Sequence, residues 1–364
     1  MLSTDGKVFE NGATARRIAS YGGITQELLF VVFASGERTD VMLAPNVRAV
    51  RTGGANKVAA LFSGFLFLVG ETGKKKYDIL SSQDPFALGV VGLLISRVRG
   101  LVFQVQLHTD CFSPRYSSES IRRSVESFIA RFVLMSASCV RAVSGRTAAA
   151  ARRLTSRPIG VLPLPLSAVP ETQFNCPKEI MEDVFTVLSV ARFTKEKQLH
   201  LLIEAMSFLL DTHLVLVGDG PEKEHLERLI REKGLTARVR IAPWQDPAPF
   251  YAYADAFALV SRYEGYGLAV MEAALRGLPI VVTDVGVAGY ELKNDMDILT
   301  ISPTVNAIAS ALARLKEDGA LRETLGLSAR KKAEGILVSE EAYLAHYRQT
   351  LMACITEQTY TGRT

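Results

Sequence analysis

The stretch that most constrains this chain is residues 254–283. A buried run at 254–260 leads through Glu264 and a Gly265-Tyr266-Gly267 turn into an apolar run from Leu268 to Leu275 that carries Glu272. Gly277 and Pro279 close that run, and a β-branched segment follows at 280–283. Strands this apolar are covered on both faces, as in parallel sheets, and an apolar run closed by Gly and Pro reads as a buried helix. The first N–H groups of a helix lack internal partners and favour an anion. The turn glycines let a ligand approach the backbone. A carboxylate accepts two hydrogen bonds and suits vicinal hydroxyls, so Glu264 and Glu272 on either side of an anion site outline a ligand of sugar, diphosphate and ribose. Two glutamates at this spacing are by themselves equally explained by a helix cap and a solvated helix charge.

At 364 residues the chain has room for two domains, and 48% hydrophobic with 22% charged residues excludes general disorder. The net charge of +4 divides unevenly. Residues 1–170 hold 21 Lys and Arg against 11 Asp and Glu, whereas residues 171–364 hold 21 against 27. A basic first half implies an anionic partner, either a phosphorylated substrate or a bilayer surface; a solvated basic face is the alternative. Nucleic acid is not expected, since no basic and aromatic residues interleave and no zinc-finger spacing occurs. Cys111, Cys139, Cys176 and Cys354 follow no metal or redox spacing and are expected as reduced thiols of a cytosolic protein. No secretory signal is read, and the longest apolar run, 58–69, is too short to span a bilayer. With Lys57 before it and Lys74, Lys75 and Lys76 after it, that run is either a core helix or a helix lying on a membrane surface.

Buried strands and helices alternate along the first half. Only Met1 and Leu2 precede the polar Ser3-Thr4-Asp5, so the first strand reads as clipped, with a cost at a sheet edge. Gly12 opens a helix over residues 15–21. Strands follow at 28–34, 78–82 and 101–107, the last delivering His108 and Asp110 at its C-terminal end, where open α/β sheets bind ligands. A lone histidine there is otherwise a structural hydrogen bonder. Residues 120–132 read as an amphipathic helix with Arg122, Arg123 and Arg131, and Arg146 lies in the helix opened by Ser144. Five prolines between residues 157 and 177 mark a linker. A buried strand at 185–190 then leads to Arg192 and Lys197, a strand at 213–217 to Gly218-Asp219-Gly220-Pro221, and a strand at 239–242 to Pro243-Trp244. Three amphipathic helices close the chain.

The string SRYEGYGLAVMEAALRGLPIVVTDVG resembles the nucleotide-sugar loop of the family 4 (group 1) glycosyltransferases. VARFTKEKQLHLLIEAM and QVQLHTDCFSP fall in the order of that family's strand–Arg–Lys–helix and strand–His segments. The resemblance implies an α/β GT-B fold: an acceptor-side Rossmann-like domain at 1–165, a linker at 166–184, a nucleotide-sugar domain at 185–345 facing a central cleft, and residues 346–364 crossing back to brace the first domain. It implies transfer of a hexose from a nucleotide-diphosphate sugar, UDP- or GDP-linked, to a glycolipid or growing surface polysaccharide, with the anomeric configuration retained and without metal or cofactor. In that scheme Arg192, Lys197, Gly12, Gly267 and Leu268 hold the diphosphate and Glu272 the ribose. Glu264, Gly265 and Tyr266 hold the donor sugar, and Gly218, Pro243 and Trp244 meet the base. Glu264 and His108 are the catalytic candidates, with Asp110 and Arg146 behind them on the acceptor side. Pro243, Ala191 and Gln198 depart from the glycines usual in the family. The expected location is the cytoplasm, peripheral on the inner face of the membrane. A silent GT-B binding or scaffold protein and a nucleotide-sugar epimerase are the alternatives.

Overall fold

The computed structural model describes residues 1–10, 12–166, 174–181 and 183–361. Much of the proline-rich linker and the last three residues therefore lie outside the described residues. The chain forms two compact units. The first comprises Met1–Val143, Thr147–Pro163 and Val338–Thr364, the second Ser144–Arg146 and Leu164–Leu337.

The first unit runs β1 (Leu2–Ser3), α1 (Ala13–Ser20), β2 (Leu28–Val32), β3 (Thr39–Ala44), β4 (Val47–Arg51), α2 (Lys57–Lys74), β5 (Ile79–Ser82), α3 (Ala87–Arg99) and β6 (Val102–Leu107). It continues through α4 (Pro114–Ser117), α5 (Ile121–Ser136), β7 (Cys139–Ala142), α6 (Gly145–Arg152) and β8 (Ile159–Val161). The strands form one sheet in the order β3-β4-β2-β1-β5-β6-β7-β8, parallel except for β3. Residues of β2 and β6 are buried throughout, as strands covered by helices on both faces must be. Side-chain caps set the helix starts: Asn56 accepts from Ala59 N–H before α2, and Ser120 from Arg123 N–H before α5.

The expectation of a clipped strand at a sheet edge is corrected in its second part. β1 is two residues long but lies in the middle of the sheet, Leu2 pairing with Val31 of β2 and Ser82 of β5. A cavity of about 90 Å³ is lined by Met1, Leu28, Leu29, Ile79, Leu80 and Ser81, among others. The β3–β4 pair has no counterpart in the sequence reading. An Arg48–Asp40 ion pair of 2.6 Å ties its two strands together at the sheet edge.

The second unit runs β9 (Phe185–Val190), α7 (Leu199–Ala205), β10 (Thr212–Val217), α8 (Lys223–Glu232), β11 (Val239–Ala242), α9 (Ala248–Tyr253) and β12 (Ala256–Leu259). After these come α10 (Leu268–Leu275), β13 (Ile280–Thr283), β14 (Leu299–Ile301), α11 (Val305–Glu317) and α12 (Gly319–Ile336). All six strands are parallel, in the order β11-β10-β9-β12-β13-β14. The direction of winding reverses between β9 and β12, and the loops leaving those two strands flank the crevice that such a switch point opens.

The last helix, α13 (Glu340–Thr361), belongs to the first unit, the chain changing units at Val338 rather than at 346. Its Tyr343 and Tyr347 enter the core with Val8, Ile18, Tyr21, Phe30 and Val47. Its Cys354 is bonded to Cys139 of β7, which corrects the expectation of four reduced thiols; Cys111 is a buried thiol. A pairing across 215 residues leaves no local spacing to read. No described helix is long and apolar enough to cross a membrane.

Candidate functional site

Two loops meet at the switch point of the second sheet. After β9, residues 191–193 pass so close to the Gly218-Asp219-Gly220 turn that a Cβ on Gly218 would lie 1.9 Å from Ala191 O, and one on Gly220 2.4 Å from Phe193 O. The glycines thus let the two turns nest, and Phe193 N–H donates to Asp219 O at 2.8 Å. A short 3-10 turn, Lys195–Lys197, then presents Lys197 to the loop that follows β12. There Lys197 Nζ donates to Glu264 Oε1 at 2.5 Å, and Ser261 Oγ donates to the same oxygen at 2.8 Å. Arg262 N–H donates to Glu196 O at 2.7 Å, which fixes one loop against the other. The side chains of Lys197 and Glu264 are 18% and 13% exposed. Arg192, on the same loop as Lys197, is 73% exposed and forms an ion pair of 3.6 Å with Glu196, which uses only part of its planar fork of donors.

Gly267 caps α10 with φ 91°, a left-handed conformation that a residue with a Cβ adopts at a cost. Leu268 begins the helix, whose first N–H groups lack intrahelical partners. One turn further, Glu272 Oε2 lies 3.0 Å from the Tyr251 hydroxyl, which also lies 3.2 Å from Ala269 O. Burial pushes the Glu272 carboxyl upward, Tyr251 opposes the shift, and the nearby Asp246 charge adds to it. Tyr251, on α9, was not singled out from the sequence; a tyrosine inside an apolar stretch carries no local sign of a partner 21 residues away. Tyr266 is buried with its hydroxyl unpartnered among the described residues, and burial raises its phenol. Pro243 and Trp244 follow β11 and are exposed, Trp244 to 61%.

Arg146 falls within the second unit. It donates to Asp284, to Ala288 O at 2.7 Å and to Gly286 O at 3.2 Å, and it lies over the Tyr290 ring. Its Nε and Nη2 donors are thus engaged by the 284–290 turn. The chain's one Asp-x-Asp string, Asp295-Met296-Asp297, is likewise structural. Asp297 is fully buried and accepts from Lys293 N–H at 2.8 Å and Ser328 Oγ at 2.6 Å.

In the first unit, His108 and Asp110 follow the C-terminal end of β6, and Gly12 caps α1, where a Cβ would come no nearer than 4.0 Å to Glu10 O. His108 Nε2 donates to Gln106 Oε1 at 2.9 Å, which leaves Nδ1 as the accepting nitrogen. Burial, reinforced by the Arg141 and Arg17 charges, pulls the imidazole down to about 3, so it is neutral at physiological pH. Gln106 Oε1 also accepts from Arg141 Nη1 at 2.8 Å, while Gln106 Nε2 donates to Tyr347 OH and to Ser81 Oγ, both at 2.9 Å. Arg141 Nη2 donates to Tyr343 OH at 2.9 Å. α13 therefore completes the buried polar network that fixes the His108 tautomer. Sequence reading named the histidine but not Gln106, Arg141 or Tyr347.

Two doubly wound units of this kind define the GT-B class of α/β proteins. Sucrose-phosphate synthase from Thermosynechococcus elongatus has the same fold, with a TM-score of 0.79 over 93% of each chain at 21% identity. So does Anabaena Alr3699/HepE, solved with UDP and glucose, with a TM-score of 0.76 over 97% of this chain and 99% of that one at 20% identity. Residues 173–332, which include the switch-point site, match the family model of the glycosyl transferases group 1. It is 37% identical over 145 residues, 39% of its own length, to the lipopolysaccharide core biosynthesis glycosyltransferase LpsD of Rhizobium meliloti (strain 1021). The matches span about half the length of such curated relatives.

Proposed function

We propose that this protein transfers a hexose from a nucleoside-diphosphate sugar to a hydroxyl acceptor on a glycolipid or growing surface polysaccharide, keeping the anomeric configuration and using no metal. The observation that carries this reading is the meeting of Lys197, Glu264 and Ser261 at the switch point, beside an open helix N-terminus and an exposed Arg192. The UDP and glucose in HepE support the donor class, and the lipopolysaccharide core biosynthesis of LpsD supports the acceptor class.

Arg192, Lys197 and the N–H groups around Gly267 and Leu268 hold the diphosphate and stabilise the charge that develops as it leaves. Lys197 exchanges its bond to Glu264 for a phosphate oxygen, which frees Glu264, with Gly265 and Tyr266, for the sugar hydroxyls. Glu272, steadied by Tyr251, takes the ribose. The bond from the anomeric carbon to the phosphate oxygen breaks as the acceptor oxygen bonds on the same face, and the acceptor proton passes to the departing phosphate. His108, neutral and with Nδ1 as acceptor, orients a hydroxyl on the acceptor side. Lys197→Ala and Glu264→Gln are each expected to lower kcat by about 10²–10³-fold while the chain still folds, as circular dichroism would show. Turnover of radiolabelled donors with isolated lipid acceptors should also persist in chelator. An inverted product by NMR sinks the retaining mechanism; wild-type turnover from both variants sinks the site.

A further inference from the structure

Three neighbouring helices of the first unit expose large apolar side chains that their own core does not need. On α5, Ile121, Val125, Phe128, Phe132 and Met135 are 52–85% exposed. At 3.6 residues per turn these five positions fall within an arc of about 80°. The opposite side of the same helix buries Ser127, Ala130, Val133 and Leu134, so α5 is apolar on both faces. α3 packs against both α5 and α2 and adds exposed Leu94 and Val98; α2 adds exposed Val58, Phe62 and Leu66. Scattered apolar residues on a surface are ordinary, but ten large ones on adjoining helices are not. The three helices also carry seven Lys and Arg against two Glu. Both glutamates are tied to arginines, Glu71 to Arg48 and Glu126 to Arg122 and Arg123. Arg122 and Arg131 stand on the two flanks of the α5 stripe, where long cationic side chains reach a headgroup layer while the stripe between them enters it.

We infer that the outward faces of α2, α3 and α5 dock on an anionic lipid bilayer. Charge selects this occupant over a second copy of the chain, because apposing two such faces would set like charges against each other. The inference is independent of the donor site, which lies in the other unit.

The test is cosedimentation of the full chain with vesicles of phosphatidylcholine alone or enriched in phosphatidylglycerol. The chain is expected to pellet with the anionic vesicles only, and to be released by salt. Phe128→Ser with Phe132→Ser should weaken binding at least about tenfold, and Arg122→Gln with Arg131→Gln by about tenfold. Leu327→Ser, an exposed apolar position of the second unit, should change nothing. Because the altered residues are exposed, melting temperatures should match the wild type, and donor binding measured by thermal shift without vesicles should be intact. Failure to pellet with either vesicle overturns the inference, as does equal pelleting of the Phe128/Phe132 variant. A concentration-dependent dimer that this variant abolishes, with no vesicle binding, assigns the face to self-association instead.

Discussion

Single residues hold the least obvious chemistry of this chain. His213 on β10 is fully buried, and neither ring nitrogen has a partner among the described residues; burial, with the Arg240 charge, lowers it to about 4. His108 is lowered further, to about 3. In the unfolded chain both titrate near about 6.5, so below that pH the unfolded state holds more protons than the folded one. Stability from these two groups is therefore complete above about 6.5 and is lost as pH falls toward the folded values, at about 1.4 kcal/mol per unit for each. Denaturant unfolding at pH 7 and pH 5 should show the loss, and His213→Leu, which sacrifices no hydrogen bond, should reduce it by about 2 kcal/mol. An unaltered pH dependence in that variant would mean that His213 is not held neutral. Tyr251→Phe removes the hydroxyl that steadies Glu272 and should weaken donor binding about fivefold while leaving kcat largely intact. A kcat loss with unchanged KM would place Tyr251 in the chemical step instead.

Among elements, α10 was the most legible and the β3–β4 pair the least, while α13 was legible as a helix but not in what it contacts. An apolar run between a Gly-aromatic-Gly turn and Gly-Leu-Pro has one local solution, and the helix spans the expected Leu268–Leu275, with Gly277 at φ 73° beyond it. α13 is polar enough to look like a surface helix, yet its tyrosines satisfy Gln106 and Arg141 in the core of the first unit. Tyr347→Phe leaves Gln106 Nε2 without one of its acceptors, and because the group is buried the loss should be about 1–3 kcal/mol by equilibrium unfolding. His108 contacts the same glutamine, so the variant should also shift the imidazole resonances in NMR spectra. Unchanged resonances would detach the network from the histidine. α5 was read correctly as a helix, but its second apolar face became visible only when the buried side was known.

For the whole molecule, the bond between Cys139 and Cys354 closes a loop that contains the entire second unit. Crosslinking residues so far apart restricts the unfolded chain strongly, so reduction or Cys354→Ser should lower stability by about 2–5 kcal/mol. Melting with and without reductant measures this. Identical curves would show that α13 is held by packing alone.

The sequence by itself determined the strands and helices with strong local pattern, the glycine turns, and the residue types a diphosphate sugar needs, because propensity and periodicity act within a few residues. Strand order decided which of those residues meet. Lys197 reaches Glu264 only because β9 lies beside β12, and Tyr251 reaches Glu272 only because α9 folds next to α10. The central place of β1, the Cys139–Cys354 bond and the outward apolar face of α5 likewise follow from long-range packing, which no local window of the chain records.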